Sequence, residues 1–179
     1  MRATEASTGG VHAYEIVAEP LTEAAFAPYG QACVPPTTQE GLGIGSEVGG
    51  IDLLRDDGDG TLHIEICKVK MLPELMTRTN RHLGFTQFFG FMRGKFAVIV
   101  ADPEMSKEEY DPARTRVFVT DAGTSVAIRS DTWHVEPCGL TPDSILAISQ
   151  TETMYARTEA IEDLGDQAIV RFVVPESLR

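Results

Sequence analysis

The sequence predicts an all-β sandwich or barrel. Short apolar runs recur along most of the chain, separated by turn signals about every dozen residues. No helical stretch of the length needed for a parallel crossover lies between them. Residues 62–68 alternate strictly, with Leu62, Ile64 and Ile66 on one face and His63, Glu65 and Cys67 on the other.

Taken in order, residues 1–12 are small, polar and glycine-containing and read as a flexible arm. Leu21–Phe26 reads as a short helix capped by Thr22, with Leu21 and Phe26 at the staple positions on either side of the cap. Pro28 and Gly30 end it. The Gly-, Pro- and Thr-rich stretch 35–50 reads as a long loop, and Asp56–Gly60 as a turn. Too few ligands and no closing glutamate make that turn a poor calcium loop. Strands are expected at Leu62–Lys68, Phe85–Met92, Phe96–Val100, Arg116–Val119, Ser125–Ile128, Ile145–Ile148 and Ala168–Val174, and a second short helix at Glu159–Leu164. The face of His63, Glu65 and Cys67 is either a polar pocket wall or the solvent face, and the solvent face is the expectation.

At 179 residues, with 42% apolar and 23% charged residues, the chain is expected to form one domain, residues 13–179, behind the arm. No apolar run approaches the roughly 20 residues that span a bilayer, and the N-terminus lacks the apolar core of a signal peptide. A cytoplasmic setting is the expectation. Three widely spaced cysteines form neither a disulfide framework nor a zinc knuckle. A net charge of −12 argues against nucleic acid and anionic membranes as partners. An anionic substrate would need local cations, and Lys68, Lys70, Arg78, Arg81, Arg93, Lys95 and Arg129 cluster in the relevant half of the chain.

Two of the four histidines carry the site signal. His82, then Gln87 five positions on, then Gly94 closing an apolar strand, is the layout of a metal-binding edge in a small β-barrel. His134 follows after a turn carrying Asp131. Two imidazoles and an amide oxygen are a sparse set for a transition metal. The histidines could instead act as proton donor and acceptor without an ion. Phe89 and Phe91 share the face of Gln87 and would line the pocket. Lys68 and Arg129 are candidates to hold a carboxylate, Trp133 to pack under the site turn or touch substrate, and Glu136 to orient or replace a ligand.

Asn80–Gly94 resembles the first cupin motif, with His82 at its second histidine, Gln87 at its glutamate and Gly94 at its final glycine. Asn80 stands at the first histidine and Glu74 at the leading glycine. Arg129–His134 resembles the second motif, with Arg129 for its proline, Asp131 for its glycine and His134 as the matching ligand. Within the cupins the chain is most similar to the ureidoglycolate lyase family. Pro20–Gly30, Arg81–Gln87, Gly94–Val100, Arg116–Val119 and Thr132–His134 carry that likeness in order. It departs from the family pattern at Lys68, Asn80, Leu83 and Val135.

The resemblance implies a cupin-type double-stranded β-helix (jelly-roll) barrel with a few short peripheral helices. It implies a homodimer that splits ureidoglycolate into glyoxylate and urea in allantoin catabolism. His82, His134 and Gln87 would be catalytic residues or would hold a divalent metal of the Ni, Zn or Mn type. Lys68, Arg129, Trp133 and Phe89 would face a small carboxylate substrate. The alternatives are a diverged cupin lyase, isomerase or hydrolase acting on another small hydroxy or keto acid, and a non-enzymatic cupin that binds a small ligand.

Overall fold

The uninterrupted apolar run 96–100 sets the layering, because a strand that is apolar on both faces must be covered on both. The computed structural model describes residues 4–8, 11–34, 62–151, 155–164 and 168–179. The early strands are β1 Thr4–Thr8, β2 Val11–Val17 and β3 Glu19–Pro20, followed by helix α1 Glu23–Phe26 and β4 Gly30–Cys33. Next come β5 Leu62–Lys68, β6 Leu75–Met76, β7 Thr79–His82, β8 Gln87–Arg93 and β9 Lys95–Ala101. The chain continues through β10 Arg116–Asp121, β11 Ser125–Ile128, β12 Trp133–Gly139, β13 Ile145–Thr151, β14 Thr158–Ile161 and β15 Ala168–Val173. The described residues also hold three single-turn 3₁₀ segments, at Pro112–Arg114, Tyr155–Arg157 and Glu176–Leu178.

The strands form three sheets in the orders β1-β2-β15-β6, β14-β7-β12-β9-β10-β3 and β4-β11-β8-β13-β5. From β7 to β14 the chain passes back and forth between the second and third sheets, as a jelly roll does. The fold is the expected all-β cupin-type barrel with short peripheral helices. The barrel interior lies between those two sheets. Phe96, Val98 and Val100 of β9 point into it and pack with Phe89, Phe91, Phe118, Val126, Ile128, Leu146 and Ile148. The alternate residues Ala97, Ile99 and Ala101 join a second core under the first sheet, with Ile16, Val117, Trp133, Val170 and Phe172. The strand is continuous in apolarity because it serves two cores at once.

Thr22 caps α1 by accepting from the Ala25 amide, and Leu21 and Phe26 are both buried in the barrel core. Three differences from the sequence expectations are physical in origin. The stretch read as an arm carries β1, which pairs antiparallel with β2. Thr158–Ile161 is a strand rather than the start of a helix, because it pairs with β7 from Thr158↔His82 to Ile161↔Thr79. That non-local pairing overrides a local helical preference. In β5 the alternation is correct but its sense is reversed. Ile64 and Ile66 are 66% and 60% exposed on the outer face, and Glu65 and Cys67 face a cavity. The loop 35–50 and the turn Asp56–Gly60 lie outside the described residues.

Candidate functional site

The site is built where β7 and β12 pair. His134 of β12 stands opposite Asn80 of β7 in the antiparallel register, so the two side chains are neighbours on the inner face. His82, two residues along β7, emerges on the same face. The turn after His82 and the turn before His134 are tied together. The Asp131 amide donates to the His82 carbonyl at 3.1 Å, and the Gly84 amide donates to Asp131 Oδ1 at 3.1 Å. Asp131 adopts φ 65°, the left-handed conformation that the motif's glycine would otherwise supply.

His82 and His134 are both buried, with ring centroids 5.1 Å apart. Burial pushes the His82 imidazole down to about 4, partly opposed by a hydrogen bond with Gln87. Burial and then the neighbouring His82 push His134 down to about 4, against the Thr132 carbonyl. Both rings are therefore neutral near neutral pH, and their hydrogen bonds fix which nitrogen carries the proton. His134 Nδ1 lies 2.8 Å from the Thr132 carbonyl, which can only accept, so Nδ1 is the protonated nitrogen. Its Nε2 is then a lone pair, 3.0 Å from the Gln87 carboxamide. The amide must turn its N–H toward that lone pair, a half-turn that exchanges atoms indistinguishable in shape. The Gln87 oxygen is then available to His82, whose Nδ1 meets the Thr158 hydroxyl at 2.9 Å. Gln87 thus bridges the two histidines.

Beside this bridge opens a cavity of about 500 Å³. His134 and Asn80 stand on its wall and Phe89 lies beneath. Glu65, Cys67 and Glu136 line it further out, with Lys68, Lys70 and Arg78 supplying positive charge. Burial and the nearby Glu65 and Glu136 raise the Cys67 thiol, and burial followed by Glu136 pushes Cys138 up to about 11. Neither thiol is a ready nucleophile at neutral pH.

The expected site residues separate accordingly. His82, Gln87 and His134 come together, with only His134 of the three on the cavity wall. Phe89 and Lys68 reach the cavity, although Lys68 is ion-paired with the exposed Asp143. Trp133 does not reach it. It is fully buried in the other core, donates to the Met105 carbonyl at 2.9 Å and lies under Arg81. As the strand neighbour of His134 it must face the opposite way. Arg129 is exposed and lies outside the cavity lining. Lys70 and Arg78 are the cations that line the cavity beside Lys68. Glu65 and Cys67 were hidden by the reversed sense of β5.

Residues 13–162 match the family described as Ureidoglycolate lyase. The chain belongs to the ureidoglycolate lyase family. It is 28% identical over 144 residues to a ureidoglycolate lyase of Chelativorans sp. (strain BNC1), covering 74% of this chain and 83% of that protein. It is 31% identical over 127 residues to one of Rhodobacter capsulatus, covering 66% and 75% respectively. Among solved structures it is similar to ChmJ, a 3'-monoepimerase from Streptomyces bikiniensis. The TM-score is 0.45 and the identity 13%, over 93% of this chain and 70% of that one. A dTDP sugar isomerase from Desulfovibrio desulfuricans gives a TM-score of 0.41 at 16% identity, over 78% and 88%.

The nitrogen and oxygen donors gathered here are the two histidines and the Gln87 amide. No group of three or more His, Cys, Asp or Glu side chains is poised for a metal ion among the described residues. Of the His134 nitrogens, Nδ1 donates to Thr132 and Nε2 keeps the lone pair that faces Gln87. What the arrangement offers is a neutral base on the wall of a cationic-rimmed cavity.

Proposed function

We propose that the chain splits ureidoglycolate into glyoxylate and urea, a carbon–nitrogen lyase reaction. The observation that carries this reading is the neutral His134 on the wall of the cavity, in a chain of the ureidoglycolate lyase family. The substrate carboxylate would sit against Lys70 and Arg78, the local cations that an anionic substrate needs in a protein of net charge −12. Its hydroxyl would take over from the Gln87 N–H as the donor to His134 Nε2. His134 accepts the hydroxyl proton, the oxygen's electrons form the aldehyde C=O, and the C–N bond breaks with its electron pair passing to the urea nitrogen. The imidazolium, acidic because its site is buried, returns the same proton to that nitrogen. No net proton, water or electron is consumed, and both histidines end as they began. The wider expectations of a homodimer, a cytoplasmic setting and a place in allantoin breakdown go with this reading; among the described residues no helix is long and apolar enough to cross a membrane.

Product analysis tests the reaction type. Incubation of the purified protein with ureidoglycolate should yield urea and glyoxylate in equal amounts. Ammonia in place of urea would mark a hydrolase, and no product at all would favour a ligand-binding cupin.

A further inference from the structure

Asn80 is the position at which the cupin pattern lacks a histidine, and the structure shows what stands there instead. Its Oδ1 is buried without a hydrogen-bond partner, alone in this among the buried side-chain oxygens and nitrogens of the described residues. Buried acceptors are nearly always paired, because leaving one dry and unpaired opposes folding. Asn80 lies on the cavity wall and is the strand-pair partner of His134. Directly opposed residues in an antiparallel pair keep their Cβ atoms about 5 Å apart. A ligand whose hydroxyl reaches His134 would therefore bring a neighbouring N–H to Asn80.

We propose that Asn80 Oδ1 accepts a hydrogen bond from an N–H of the bound ligand, so that the pocket selects small carboxylates bearing an amide or ureido N–H beside the reacting carbon. The proposal rests on the lyase reading for its geometry. In ureidoglycolate the hydroxyl and the N–H sit on one carbon, so His134 and Asn80 would grip the two bonds that change together. The orientation of the leaving nitrogen is then set by a neutral acceptor, which can take its N–H without removing the proton. Asn80 is neither a base nor an ion ligand in this role. It determines which substrates are read.

The test compares two ligands of one shape. N-carbamoylglycine carries the ureido N–H groups, and levulinate replaces them with carbon while keeping the carboxylate and the carbonyl. Calorimetric titration of the wild-type protein should show N-carbamoylglycine bound about 10- to 100-fold more tightly, since a site with a buried acceptor rejects a partner that cannot donate. Asn80→Leu should bring the ratio close to one while holding the thermal midpoint, because no internal hydrogen bond is lost. Asn80→Ala serves in its place should leucine not fold. Asn80→Asp should keep the preference, since it keeps the acceptor and its added charge acts on both carboxylate ligands alike. Equal affinities in the wild type would overturn the proposal, as would an unchanged ratio in both apolar variants. The preference is read from binding alone. A protein that releases no urea yet shows the Asn80-dependent ratio would refute the lyase reading and leave this assignment standing.

Discussion

At the scale of single residues, the ordering of protons along Thr132, His134, Gln87, His82 and Thr158 decides what the site can do. A surface imidazole near neutral pH is half committed to its charged form. Burial removes that ambiguity here and leaves both rings neutral. The same burial makes a statement about stability. Each histidine has a folded-state value near 4 against an ordinary 6.5, so in acid the unfolded chain takes up protons before the folded one does. The stabilisation is complete above about pH 6.5 and drains away as pH falls toward 4. Urea denaturation across that window should show the midpoint falling with acidity. A His82→Gln, His134→Gln double variant should flatten the fall, and an unchanged slope would place the charged forms of these histidines in the folded state.

At the scale of elements, the turn between β8 and β9 shows how one residue type can be demanded by geometry. Gly94 has φ 95°, and a Cβ there would lie 2.4 Å from Ser144 Oγ and 2.7 Å from Thr141 Oγ1. Those hydroxyls are already engaged with each other and with the Lys95 backbone. Gly94→Ala should lower stability by about 1–3 kcal/mol, read as a drop in denaturation midpoint, with cavity residues untouched. A midpoint equal to wild type would mean that the turn relaxes freely. The glycine was legible as the close of a motif, and α1 as a capped turn, because both signals are local. So were β9 and β11, whose apolar patterns reflect their own burial, and β5 as a strand, though not its inner face. The strand β14 was not legible. Its few residues owe their conformation to β7, far away in sequence, and Arg81 and Glu159 meet only once that pairing exists.

At the scale of the whole molecule, two cores share β9, and the cavity opens where the barrel core gives way to polar residues of β5, β7 and β12. Periodicity located the strands but could not assign the inner face of β5. A polar face turned toward a cavity and one turned toward bulk water have the same sequence pattern. For that reason Glu65 and Cys67 were placed outside, and Trp133, adjacent in sequence to His134, was drawn toward a pocket it faces away from. The cations followed a similar course, with Arg129 left outside and Lys70 and Arg78 at the cavity. The histidine pair and Gln87 were legible because their types and spacing carry the chemistry. Their mutual hydrogen bonds depend on the barrel closing. The central claim is that His134 acts as a neutral base. The measurement that tests it most directly is kcat/KM for urea release from ureidoglycolate against pH, for the wild type and His134→Ala. The wild type should hold its rate through pH 6.5 and lose it only toward about 4. The variant should be folded and slower by about 100- to 10,000-fold. A wild-type acid limb centred at 6.5, or a folded His134→Ala with undiminished turnover, would contradict it.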